Sequence, residues 1–129
     1  MSTELFYLVA VTLFTALMWV PYILNMIAVR GIRDAVGYPE HPKPLAPWAA
    51  RMKAAHANAV ENLVVFAALV LAVEVAGANS EVTVLAAMIY FWARVVHFVA
   101  HTLAIPWVRT LAFVAGVGCQ VTLALQLLG

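Results

Sequence analysis

Between Glu4 and Arg30 the chain has no charged side chain, and the residues in that interval are almost all apolar. At 1.5 Å of rise per helical residue, a run of this kind crosses the ~30 Å hydrocarbon core of a bilayer, which takes ~20 residues. Three more such stretches follow. The second runs from about Ala54 to Val73 and is broken only by His56 and Glu61. The third lies between Glu81 and Arg109, carries Arg94, His97 and His101, and ends near Leu103 ahead of Pro106. The fourth, Thr110 to Gly129, is uncharged. Membrane-spanning strands would be about half as long and would alternate polar with apolar residues; these stretches do neither. Of 129 residues 66% are hydrophobic and 10% charged, against roughly 45–50% and about 25% in soluble domains. The composition excludes disorder and a water-soluble globule. A net charge of +1 with no basic stripe excludes a nucleic-acid partner. The reading is an all-α integral membrane protein, one domain over 1–129. It is an up-down bundle of four transmembrane helices at about 4–29, 48–76, 81–103 and 107–128, with a connecting loop at 30–47.

No basic residue precedes the first span, and its apolar run exceeds the roughly 7–15 residues of a signal-peptide core, so a membrane helix is expected rather than a cleaved leader. Arg30, Arg33, Lys43, Arg51 and Lys53 lie between the first two spans or at their ends, and Arg109 falls on the same side. The other side has Glu4, Glu74 and Glu81 and no Lys or Arg. The positive-inside rule therefore predicts cytoplasmic first and third loops and both termini outside. Residues 30–50 hold Gly31, Gly37 and four prolines, which predicts a stiff, irregular connection. Gly77 is placed to stop the second helix, and Asn79 or Ser80 to cap the third. Cys119, the single cysteine, sits beside Gly116 and Gly118 in the fourth span and reads as a small packing residue.

Ionisable side chains inside a bilayer are costly and usually face the bundle interior. At about 100° per residue, Arg51, Asn58 and Glu61 fall within an arc of about 80° on the second helix, and Arg94, His97 and His101 within about 60° on the third. Arg109 opens the fourth helix at the same end. Together they predict a mainly cationic cavity. Arginine suits that place because its guanidinium stays charged when desolvated and grips carboxylates with two bonds. Glu61 could hold a ligand ammonium or neutralise an arginine, and counting from the helix ends sets it level with Arg94, so a buried Glu61–Arg94 pair is expected. The loop cations also have a plainer reading as topology determinants at the headgroups. His56 reads as a helix contact, and His97 with His101 lacks the further ligands a metal needs. Ala54, Ala55, Ala57 and Ala59 allow close helix approach, which predicts a homo-oligomer.

The segments Arg51-Met-Lys-Ala-Ala-His56-Ala-Asn58-Ala-Val-Glu61-Asn62, Arg94-Val-Val-His97-Phe-Val-Ala-His101 and Arg109-Thr110 resemble the MAPEG family, the membrane-associated proteins of eicosanoid and glutathione metabolism. The resemblance covers nearly the whole chain. It implies a homotrimer that binds glutathione as co-substrate between subunits near the cytoplasmic face, and a transferase or peroxidase acting on lipophilic electrophiles. By the same resemblance Arg51, Asn58, Glu61, Arg94, His97 and His101 hold glutathione, and Arg109 stabilises its thiolate. Ala54 and Ala57 stand where eicosanoid-forming members often carry arginines, His101 where they carry tyrosine, and Thr110 where some have serine. The compact loops are similar to those of bacterial members, which implies a multi-pass protein of a bacterial inner membrane. Two other readings remain: a non-catalytic relative that binds lipid, and a small proton-coupled exporter using Glu61. Arg94 and two histidines in the same polar layer argue against a cation site.

Overall fold

The computed structural model describes residues 1–129 and contains five helices and no strands. They are α1 (Thr3–Leu17), α2 (Trp19–Val36), α3 (Pro47–Ala76), α4 (Glu81–Thr102) and α5 (Pro106–Leu128). Four lengths of helix are long and apolar enough to cross a membrane, with α1 and α2 together making the first. The protein is an integral, multi-pass membrane protein built as a helical bundle.

The first span differs from a single helix over 4–29. Its hydrogen-bond ladder is interrupted at Met18, which keeps helical φ and ψ of −61° and −25°, because Pro21 has no N–H to donate to the Leu17 carbonyl and its ring crowds that carbonyl. Thr15, one turn earlier, donates its hydroxyl back to the Val11 carbonyl at 2.7 Å. Helical residues then continue past Arg30 to Val36, with a second break at Gly31, whose φ of 79° suits a residue without Cβ. The connection therefore starts later than position 30. Arg30 donates its Nε to the Lys43 carbonyl at 2.7 Å, and Asn25 Oδ1 accepts from the Ala46 amide at 3.0 Å. These bonds hold the proline-rich stretch against α2 and aim Pro47, the first residue of α3.

The other boundaries have local causes. Gly77 ends α3 in the left-handed conformation. Ser80 and Thr83 then form a reciprocal capping box at the start of α4. Pro106 opens α5, where its missing N–H costs no helical bond.

The core lies among α1, α3, α4 and α5. Phe66 stacks on Tyr90 with ring centroids 3.8 Å apart, surrounded by Val11, Val70, Val73, Ala87 and Leu123. Cys119 packs in this cluster. A smaller cluster of Met18, Ala55, Ala59 and Phe98 sits toward the basic end. Tyr22 and His56 Nδ1, 2.7 Å apart, join α2 to α3, so His56 is a helix contact. At the acidic end Glu4 is 1% exposed and accepts from Asn79 Nδ2 at 2.8 Å and Thr83 Oγ1 at 2.7 Å. Ser2 and Asn79 both donate to Glu74. The start of α1 is thereby fastened to the α3–α4 turn.

Candidate functional site

At the basic end the start of α3, the end of α4 and the start of α5 converge. Arg94 is buried on α4 at 2% exposure. Its Nη2 donates to Asn58 Oδ1 at 2.7 Å and to His97 Nδ1 at 3.3 Å, while its Nε has no partner. Asn62 also donates to Asn58 Oδ1, at 3.4 Å, and Gln120 donates to the Asn62 carbonyl at 3.3 Å. This polar ladder joins α3, α4 and α5 through an apolar interior.

Two adjoining hollows open beside the ladder. One, of about 250 Å³, is lined by Asn58, His97, His101, Arg109, Thr110 and Phe113. The other, of about 300 Å³, is lined by Arg51, His101, Ala104, Ile105, Pro106 and Arg109. His101 and Arg109 border both, so the hollows share a wall as two lobes of one cationic cavity, each near the low end of the roughly 300–1,000 Å³ usual for small-molecule sites. Arg51 is steadied at the mouth by donating Nε to the Thr102 carbonyl at 2.9 Å, at the negative end of the α4 dipole. Thr110 donates its hydroxyl to the Pro106 carbonyl at 3.1 Å. Ala104, on the wall, has φ 60°, a left-handed conformation uncommon without glycine.

Electrostatically the site is one-sided. Arg51 and Arg109 line it and Arg94 stands behind it, yet no carboxylate is among its lining residues. An arrangement of this kind favours anions, with guanidinium and imidazole N–H groups as donors and Asn58 as an orienting amide. An apolar groove of about 430 Å³ on the other side of the α4–α5 seam, floored by Trp92, Val96, Val108 and Leu111, shares no lining residue with it.

Six of the seven residues singled out in the sequence meet here. Arg51, Asn58, His97, His101 and Arg109 line the cavity, and Arg94 supports it. Glu61 does not join them. It lies exposed on the outer face of α3, and the Arg94 guanidinium is taken up by Asn58 and His97, so the expected Glu61–Arg94 pair is absent. The reason is azimuthal: Glu61 stands about 60° round the helix from Asn58, and Asn58 is the one turned toward α4. Two supports were not singled out beforehand. Gln120 had a signal, as a polar residue in an otherwise apolar span, whereas nothing in the sequence marks the backbone of Ala104.

The model of the MAPEG family matches residues 6–129, nearly the whole chain. The chain belongs to the MAPEG family. At the level of the family, this makes it a membrane protein related to glutathione or eicosanoid metabolism. The match spans all the residues of the cavity, from Arg51 on α3 to Phe113 on α5. No curated protein matches the chain.

Proposed function

We propose that this MAPEG protein binds glutathione in the Arg51–His101–Arg109 cavity and either conjugates it through sulfur to lipophilic electrophiles or uses its thiol to reduce them, as a transferase or peroxidase. The observation that carries the reading is the group of three guanidiniums with no carboxylate counter-ion inside the chain. Arg94, the buried one of the three, has no opposing charge, which is costly, and an anionic ligand beside it offsets that cost. Glutathione has two carboxylates, a thiol and one ammonium. Arg51 at the mouth suits a carboxylate. Arg109, in the first turn of α5 where the helix dipole adds partial positive charge, suits a thiolate.

Glu61 completes the reading. A carboxylate exposed on an apolar helix in lipid is unfavourable, so a neighbouring subunit and the ligand ammonium are its natural cover. The small residues Ala50, Ala54 and Ala57 on the same exposed face permit a close helix neighbour. A homotrimer with α3 near its axis meets both needs. In this reading both termini lie outside the cytoplasm of a bacterial inner membrane, and the basic end faces the glutathione supply.

The test is calorimetric titration of glutathione into the protein in mild detergent, followed by conjugation to a generic aryl halide. Saturable millimolar or tighter binding with enzyme-dependent conjugate is expected. Ala54 and Ala57, which add no cation to the cavity, favour a second reading in which an anionic lipid binds without turnover. Lipid binding with no glutathione uptake would select it, and cation export from reconstituted vesicles would select the exporter.

A further inference from the structure

The two histidines of the cavity differ in their surroundings at Nδ1. A guanidinium has N–H donors and no acceptor. The 3.3 Å contact between Arg94 Nη2 and His97 Nδ1 is therefore one in which the arginine donates. His97 Nδ1 must then carry a lone pair, which makes the ring neutral and puts its proton on Nε2. His101 Nδ1 is buried with no partner, and its Nε2 is not among the buried unpartnered atoms. In the Nε2–H form the ring leaves no buried N–H without an acceptor, and that is the form assigned to His101 as well. The rings lie 5.6 Å apart at 83° to one another, and both border the hollow that holds Arg109.

We propose that His97 and His101 form a pair of neutral imidazole donors whose Nε2–H groups bind an anionic sulfur, with His97 locked in that tautomer by Arg94. The identity of the anion rests on the glutathione reading; the tautomers do not. Facing the pair from the other elements are Arg51 and Asn58 on α3 and Arg109 and Thr110 on α5. Thr110 spends its hydroxyl proton on Pro106, so it is not a donor to the site. In the activation step the S–H bond breaks and its proton passes to water at the mouth of the cavity. The electron pair stays on sulfur, held by the imidazole N–H groups and Arg109, and neither ring changes its proton count. His97 and His101 thus act as directional donors, and Arg94 is a positioning residue acting through His97.

Nitrogen-15 NMR of the full chain in nanodiscs reads the ring tautomers directly near neutral pH. Both rings are expected as the Nε2–H form, and Arg94→Met should release His97 into a mixture of tautomers while His101 stays as it was. With saturating glutathione, the ultraviolet thiolate band then reports the sulfur. His101→Phe should lower the thiolate-to-thiol ratio about tenfold. His101→Gln, which sets an amide N–H near the lost Nε2, should restore most of it. If Gln fails as badly as Phe, the ring is a proton acceptor and the donor assignment is overturned. Rings found as imidazolium or Nδ1–H overturn it also. Absence of glutathione binding to the wild type would sink the glutathione reading alone, leaving the tautomers to judge this one.

Discussion

Replacing Asn58 by Leu is the sharpest way to probe how a cation survives inside this bundle. The change keeps the side-chain size and removes the oxygen that Arg94 Nη2 reaches at 2.7 Å. What remains is a guanidinium at 2% exposure with His97 Nδ1 at 3.3 Å as its partner. A neutral hydrogen bond between membrane helices is worth only about 0.6 kcal/mol. The Asn58 bond is charge-assisted, in the class worth about 1.5–3 kcal/mol, and stranding a buried charge costs roughly 3–5 kcal/mol. Asn58→Leu should therefore destabilise the protein by about 2–4 kcal/mol, between those bounds. Arg94→Met removes the charge itself and leaves Asn58 Oδ1 with Asn62 at 3.4 Å, so it should cost only about 1 kcal/mol. The double variant should regain most of what Asn58→Leu loses. Unfolding by dodecyl sulfate titration, followed by circular dichroism, measures all three. A stable Asn58→Leu protein, or a double variant no better than Asn58→Leu, would refute the argument that the buried charge sets the cost.

Four other outcomes follow from the site and its neighbours. Arg109→Leu should cut conjugation roughly a hundredfold or more while native mass spectrometry shows the proposed trimer unchanged; full activity would take Arg109 out of the reaction. Glu61→Gln should weaken glutathione affinity about tenfold in the same calorimetric titration, and an unaltered affinity would leave the ammonium without its assigned partner. Ala57→Phe, on the exposed face of α3, should dissociate the proposed trimer to single chains in nanodiscs. Ala104→Gly should stabilise the protein by about 0.5–1 kcal/mol, because glycine adopts a φ of 60° without a Cβ penalty; a loss of stability would show that the Ala104 methyl packs usefully on the cavity wall.

Much of the architecture is written in the order of residue types. Long apolar runs mark the spans, and Gly77, Ser80 and Pro106 punctuate them by local backbone chemistry that needs no knowledge of the neighbours. The spacing of Arg94, His97 and His101 puts them on one face of α4 for the same reason. Partnership is less legible. Periodicity says which residues share a face but not how far each helix is rotated about its own axis, and a rotation of about 60° decides between Asn58 and Glu61 as the neighbour of Arg94. The break at Met18 was within reach, since Pro21 lies four residues beyond Leu17, but a run of apolar residues hides it. The placement of the proline-rich connection against α2 depends on bonds from Arg30 and Asn25 to Lys43 and Ala46, residues of the next segment.

The fastening of Glu4 has a consequence for how the protein is made. Its two bonded partners lie 75 and 79 residues further along the chain. While α1 is being synthesised and inserted, neither Asn79 nor Thr83 exists, and the Glu4 carboxylate must stay in water at the membrane edge. The acidic end can close only after α3 and the first turn of α4 have emerged, which makes it a late checkpoint in assembly rather than a nucleus. A fusion that displaces Ser2 and Glu4 from the α3–α4 turn should then spare insertion of the individual helices and slow their final docking.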